Sequence, residues 1–262
     1  MSNSFTWLSP TILFNPWIIA IALNSFLAAI AWFAPKKLLT PAGLLHAWFL
    51  GVTIWGILGW QGYLVVMFYF LVGSSATRIG WEQKVAQGIA EKRSGARGPE
   101  NVWGSALAGT ICALGVLIFP DPQLRALLLL GYTASLSTKL SDTCASEVGK
   151  AYGQRTYLIT TWQAVPRGTE GAVSLEGTLA GVVASIAIAL IAWAVGLIDG
   201  LGIIWCAIAA LIATNLESLI GATLQTKFDW LTNEVVNIIN TVIGAIAAIL
   251  LALYGIGQPE IF

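Results

Sequence analysis

Asp142, Glu147 and Glu217 are three of only thirteen acidic residues in this chain of 262, and each stands near clustered lysine and arginine. The stretch 139–178, KLSDTCASEVGKAYGQRTYLITTWQAVPRGTEGAVSLEGT, sets Asp142, Glu147, Glu170 and Glu176 among Lys139, Lys150, Arg155 and Arg167. Carboxylates beside cations suit a phosphorylated substrate, because the cations hold phosphate oxygens while the carboxylates hold a Mg²⁺ that bridges them. Asp142 and Glu147 are five apart, ~140° around a helix, so they share one ion only if the helix unwinds or water bridges them. The glycines Gly168, Gly171, Gly177 and Gly181 fall where a loop becomes a helix. Such a turn offers backbone N–H groups to an anion, or lets helices pack closely; both readings stand. In a second basic loop, residues 78–105, Arg78, Arg93 and Arg97 are placed to grip phosphate with a guanidinium fork. Lys84 and Lys92 read as ordinary loop charges that set topology. Asn101 is either a helix cap or a polar ligand.

These residues need a scaffold, and composition names it. The chain is 57% hydrophobic, 10% charged and carries twelve tryptophans, with a mean hydropathy of +0.79. A soluble protein would have roughly 25% charged residues. Breaks at proline, glycine and charge leave about eight apolar runs, near 12–33, 42–59, 62–78, 101–119, 124–142, 173–198, 202–224 and 234–256, each the length of a membrane span. The expected fold is an all-α transmembrane bundle forming one integral membrane domain over residues 1–262. A tight GWQG turn separates the second and third runs, and merging them would leave seven spans. The first run has no basic segment before it and is too long for a signal core, so it reads as a span. Of thirteen basic residues only Arg125 falls on one set of connections, so the other twelve mark the cytoplasmic side.

Polar residues inside the spans then gather at that side. Ser135, Thr138 and Asp142 share one face of the fifth run. Glu217 sits ~10 Å below the cytoplasmic end of the seventh, and Asn233, Asn237 and Asn240 line one face of the eighth. Amide and hydroxyl groups there also serve as interhelical glue worth ~0.6–2 kcal/mol each, but a carboxylate at that depth demands a cation, a proton or water. His46, the one histidine, reads as structural, as do the cysteines Cys112, Cys144 and Cys206. Walker, kinase H-R-D and Rossmann motifs are absent. A net charge of zero provides no field for nucleic acid.

Four segments carry a family resemblance. SDTCASEVGK and PRGTEGAVSLEGT match a D-T-x-A-S-E-x-G and P-x-G-T-x-G-x-V-S-x-x-G-T pattern, and LESLIGATLQ and LTNEVVNIINTVIGA resemble the last two spans of the same family. In this pattern and order the chain resembles the phytyl-phosphate kinase family, integral membrane proteins long grouped as a domain of unknown function. The resemblance implies transfer of a phosphoryl group from a nucleoside triphosphate, with CTP the plausible donor, to an isoprenoid monophosphate. Phytyl diphosphate for tocopherol and phylloquinone synthesis would be the product, and membrane lipid the surroundings. Carried over onto this chain, Asp142, Ser146 and Glu147 match the first motif, and Gly168, Thr169, Gly171 and Ser174 the second. Asn233, Asn237 and Asn240 match the last, and Glu217 stands where many members have Asp. The expected metal set is Asp142, Glu147 and Glu217 around Mg²⁺, the same three being catalytic. Arg78, Arg93, Arg97, Lys139, Lys150, Arg155 and Arg167 join the motif residues in binding donor and acceptor phosphates. The prenyl tail is expected in an apolar groove opening sideways to lipid. No plastid transit peptide is evident, which points to a bacterial, cyanobacterial plasma or thylakoid membrane. Two other readings stay in play: a polyprenol or phytol kinase or CTP-dependent lipid cytidylyltransferase, and a transporter lined by Glu217 and the asparagines.

Overall fold

The computed structural model describes residues 15–225 and 227–256, which form eight α-helices. In chain order these are α1 (Pro16–Phe33), α2 (Pro41–Ala76), the short α3 (Trp81–Ala86), α4 (Pro99–Ile118), α5 (Pro122–Tyr152), α6 (Leu175–Ala194), α7 (Gly200–Thr223) and α8 (Asn233–Ile256). A two-stranded hairpin of β1 (Thr156–Leu158) and β2 (Ala172–Ser174) lies between α5 and α6. Their starts are written locally. Asn15, Thr40 and Asp121 each accept a backbone N–H of the following turn and are followed by proline, whose fixed φ suits the first helical position. Ser174 and Asp199 cap α6 and α7 in the same way, through Gly177 N at 3.1 Å and Gly202 N at 2.7 Å.

Helix α2 is two rods. Gly59 departs from helical geometry at φ 67°, ψ −162°, open to glycine but strained for an L side chain. Beyond it the chain turns back: Gly43 and Gly73, thirty positions apart in sequence, both abut Arg97. Gly51 and Tyr63 likewise both touch Asn24 of α1, whose Oδ1 accepts the Tyr63 hydroxyl at 2.9 Å. The expected division at GWQG is therefore a helical hairpin. Six helices (α1, α2, α4, α6, α7 and α8) are long and apolar enough to cross a membrane. With the second arm of α2 and the more polar α5, eight rods run through the bundle.

Helix α5 is its axis. It touches α2, α4, α6, α7 and α8, which surround it, and α1 packs outside on α2. Every residue from Leu130 to Asp142 is buried, which explains how so polar a helix survives in an apolar bundle: protein, not lipid, covers it. Close approach needs small residues. A Cβ on Gly244 would meet the Thr138 hydroxyl at 2.0 Å, and one on Gly181 the Ser141 hydroxyl at 2.8 Å. Helix α5 also runs ten residues past its expected end at 142, so the loop after it is shorter and more structured than the sequence suggested.

Connections fall at two ends. The α1–α2 link bonds the α2–α4 link (Thr40 N to Arg97 O, 3.0 Å), Ile89 of that link abuts Gly168, and Gly171 abuts Ala222 at the end of α7. All the basic residues except Arg125 belong to this end or point toward it. Exposed Trp32, Phe33 and Trp230 ring it, while Trp60, Phe119, Trp193 and Tyr254 ring the other, as aromatic belts do at membrane interfaces.

Candidate active site

At the basic end a cavity of about 880 Å³ opens among α5, α7, α8, the hairpin and the loop 88–97. Its floor belongs to α5, which places Lys139, Asp142 and Ser146 on one stripe. Lys139 Nζ donates to Asp142 Oδ2 at 2.5 Å and to Asn237 Oδ1 of α8 at 2.7 Å. Both charged side chains are buried, 9% and 12% exposed. Two charges taken from water and lipid persist only when paired and further hydrogen-bonded, and Asn237 supplies that extra bond. Glu217 of α7 brings its carboxyl against that of Asp142, with Glu170 of the loop before β2 also nearby. The floor is thus a lysine beside two carboxyls, Asp142 and Glu217, with Glu170 next to Glu217.

Glu147 does something else. Helix α5 stays unbroken from Pro122 to Tyr152, so Asp142 and Glu147 point apart instead of sharing an ion. Glu147 pairs with Lys84 of α3, and Lys150 stands 3.5 Å away. The Lys84 ammonium is fully buried and also donates to the Thr77 carbonyl at 2.8 Å. Lys84 is therefore no topology-setting loop charge, as its sequence context suggested. It fastens α3, and through it the loop that follows, to α5. No sequence signal marked this role, because the short helix that brings Lys84 to Glu147 is visible only after folding.

That loop forms one wall. Arg93 and Ser94 adopt left-handed backbone at φ 53° and 52°, a conformation unusual for non-glycine residues. Arg93 pairs with Glu100 and donates to Asn101 Oδ1 at 2.9 Å. The same Asn101 oxygen accepts the Gly98 N–H at 3.0 Å, so Asn101 is a cap for α4. Arg97 lies over the Tyr69 ring at 5.3 Å and donates to its hydroxyl at 2.7 Å. Arg93, Arg97, Lys139, Ser146, Lys150, Asn233 and Asn237 all line the cavity, with Asp142, Glu147 and Glu217. The glycine segment divides between its two readings. Gly168 and Gly171, at φ +82° and +74°, line the cavity with Thr169, whereas Gly177 sits against the Ala145 carbonyl, where a Cβ would be at 2.5 Å. Ser174 lines the cavity too, but its hydroxyl caps α6.

Four expected phosphate ligands lie elsewhere. Arg78 stacks over Trp81 at 5.2 Å, and Arg155 is exposed away from the cavity lining. Arg167 donates to the Ala151 carbonyl at 3.1 Å and so closes the end of α5. Asn240 is wholly buried, and its amide has no hydrogen-bond partner among the described residues. In each case the rotation of a helix or the path of a loop turned the side chain away. His46 is structural as expected: its Nδ1 accepts from Trp103 Nε1 at 2.8 Å. The three cysteines are buried and unlinked.

Among the described residues no three Asp, Glu, His or Cys side chains converge on one point. The expected trio around Mg²⁺ is therefore a pair at most, since Glu147 is taken by Lys84. Mg²⁺ is usually held by one or two carboxylates with phosphate and water completing the shell. The adjoining carboxyls of Asp142 and Glu217, both facing the cavity, fit that requirement.

Fold and site together define a polytopic integral membrane protein with a charged, water-accessible pocket sunk into one end. The chain belongs to the integral membrane protein DUF92 family, whose profile matches residues 24–245, and this is the family read from its motifs. It is 66% identical over 234 residues to an uncharacterized membrane protein of Synechocystis sp., covering 89% of this chain and 90% of that one. It is 48% identical over 216 residues to the Protein VTE6, chloroplastic, of Arabidopsis thaliana, covering 81% of this chain and 65% of that one. An uncharacterized membrane protein of Methanocaldococcus jannaschii is 32% identical over 217 residues, 82% and 87% of the two chains. No solved structure matches the chain.

Proposed function

We propose that this protein is an isoprenoid-phosphate kinase, transferring the γ-phosphoryl group of a nucleoside triphosphate, CTP by preference, to phytyl monophosphate. The observation that carries the reading is the convergence of all four family motifs on one cavity, with a buried lysine–carboxylate cluster as its floor. Its mouth, at the end that holds twelve of thirteen basic residues, is assigned to the cytoplasm, where nucleotide is found. The acceptor's phosphate oxygen attacks the γ-phosphorus, the bond from that phosphorus to the β–γ bridging oxygen breaks, and nucleoside diphosphate departs. The attacking oxygen is already anionic near neutral pH, so no side chain need remove a proton. Work falls to positioning and charge neutralisation, as is usual for phosphoryl transfer. Lys139, Arg93, Arg97 and Lys150 hold phosphate oxygens, and backbone N–H groups at Gly168 and Gly171 add to them. Asp142 and Glu217 would hold Mg²⁺, which would neutralise negative charge on the transferring phosphoryl group. Asn237 keeps Lys139 aimed into the cavity.

The opposite half of the bundle is mainly apolar, with Ala209 and Ala248 wholly buried and a recess at its far end walled mostly by leucine, isoleucine, alanine and tryptophan, and this favours an enzyme over a transporter, which needs polar lining through both halves. The test is a product assay on purified protein in detergent with Mg²⁺, phytyl monophosphate and each nucleoside triphosphate. Phytyl diphosphate appearing one-for-one with a nucleoside diphosphate is the expected outcome. Pyrophosphate as co-product would make it a cytidylyltransferase. Turnover with free phytol alone would make it an alcohol kinase, with Asp142 the base.

A further inference from the structure

One flank of the cavity faces two ways. Leu211, Asn215 and Ser218 lie along a single stripe of α7 and line the cavity, yet Leu211 is 42% exposed and Asn215 is exposed as well. Across from them on α6, Thr178 also both lines the cavity and is exposed. Exposure this far along α7 from the mouth is what an open side wall would give.

Packing says where that opening points. At the opposite end α6 and α7 are drawn together by small residues, Ala189, Cys206 and Ala209 sharing one buried cluster. Toward the site, burial along α7 stops at Ala213 and resumes only at Gly221, where Gly171 wedges against Ala222. On the other flank of α7, Gln225 just past its end bonds Asn233 of α8, so the open side is the one facing α6. The result is a slot between α6 and α7, roofed by the 168–171 turn. Its outer lips are bare apolar side chains: Leu175, Leu179 and Val183 on α6, Ile208 and Ile212 on α7. Leu211 lies twelve residues before Thr223, hence ~18 Å along the helix from its end, a depth within the hydrocarbon layer.

We propose that the slot between α6 and α7 is the portal through which the acceptor's prenyl chain passes from the cavity into the bilayer, with Thr178, Leu211 and Asn215 as its sill. The inference rests on the kinase reading above and deepens it. The acceptor's phosphate must stay with Lys139 and the arginines, and its hydrocarbon chain cannot stay in a cavity lined by charge. An apolar-lipped slot leading sideways from the charged floor satisfies both halves of such a molecule.

Two substitutions fill the slot, L211W and N215W; a third, L216W, places the same bulk on an exposed residue of α7 that neither lines the cavity nor borders the slot. Each is assayed with phytyl monophosphate and with a five-carbon prenyl monophosphate short enough to remain inside. The slot variants should raise KM for the long acceptor about tenfold or more and leave KM for the short one, and both kcat values, within about twofold. L216W should move neither. Equal losses with both acceptors, or none with either, would overturn the portal. A phytyl monophosphate carrying a diazirine on its chain should label α6 and α7, and labelling confined to other helices would also overturn it. No transfer by the unaltered protein to any acceptor would instead overturn the kinase reading, and the portal's occupant with it.

Discussion

Asp142 and Glu147 belong to one motif and one helix, yet their neighbours give them different work. Asp142 faces the cavity beside Glu217 and is held by Lys139 at 2.5 Å. Asp142→Asn keeps shape and a hydrogen-bond acceptor while removing the charge that Lys139 and the proposed Mg²⁺ site require. Turnover should fall below detection while the protein stays folded and extractable in detergent, its midpoint lowered because Lys139 loses its charged partner, and full activity in the variant would remove Asp142 from the reaction. Glu147, 3% exposed, is instead half of a buried ion pair with Lys84. Lys84→Met leaves the buried Glu147 carboxylate with only the more distant Lys150, a change that costs up to about 3–5 kcal/mol. The melting temperature should drop accordingly, and Glu147→Gln in the same chain should recover part of the loss. If the double variant melts no higher than Lys84→Met alone, the two residues are not coupled.

At the scale of elements, α5 decides everything else, because five helices must approach it closely enough to cover its serines, threonines and charges. Gly244 is the sharpest case, since a Cβ there would stand 2.0 Å from the Thr138 hydroxyl. Gly244→Ala forces α8 outward and should cost about 1–3 kcal/mol, read as a lowered midpoint in thermal unfolding. Gly200, with open space where its Cβ would go, is the control; Gly200→Ala should be neutral within about 1 kcal/mol. Equal melting of the two variants would mean that α8 does not seat on Thr138. Apolar runs and cap–proline pairs made most of these elements legible. The hairpin of β1 and β2 and the last ten residues of α5 were not, because short strands and a helix that leaves the membrane carry no apolar period.

On the whole molecule, the distribution of charge supports the proposal that the cavity faces the cytoplasm. Because Cys112, Cys144 and Cys206 are all buried, introduced thiols can report the orientation cleanly. A membrane-impermeant maleimide should label K36C in inside-out vesicles and Q123C in right-side-out ones. The reverse pattern would place the cavity on the far side and leave it without nucleotide.

Sequence alone determined the class of this protein. Eight apolar runs, one basic end and four ordered motifs are local features, readable because a lipid-facing surface constrains composition residue by residue. The polar cluster at the basic end was legible for the same reason, since Asp142 and Glu217 are too costly inside a membrane to be there without a use. Tertiary structure alone decided which cations serve. Lys84, in a loop-like context, became the buried partner of Glu147, whereas Arg78, Arg155, Arg167 and Asn240 turned away from the cavity they were expected to line. Where a long side chain ends depends on helix rotation and on how loops dock across the bundle. Those are set by contacts between residues such as Gly244 and Thr138, a hundred positions apart, which no stretch of sequence contains.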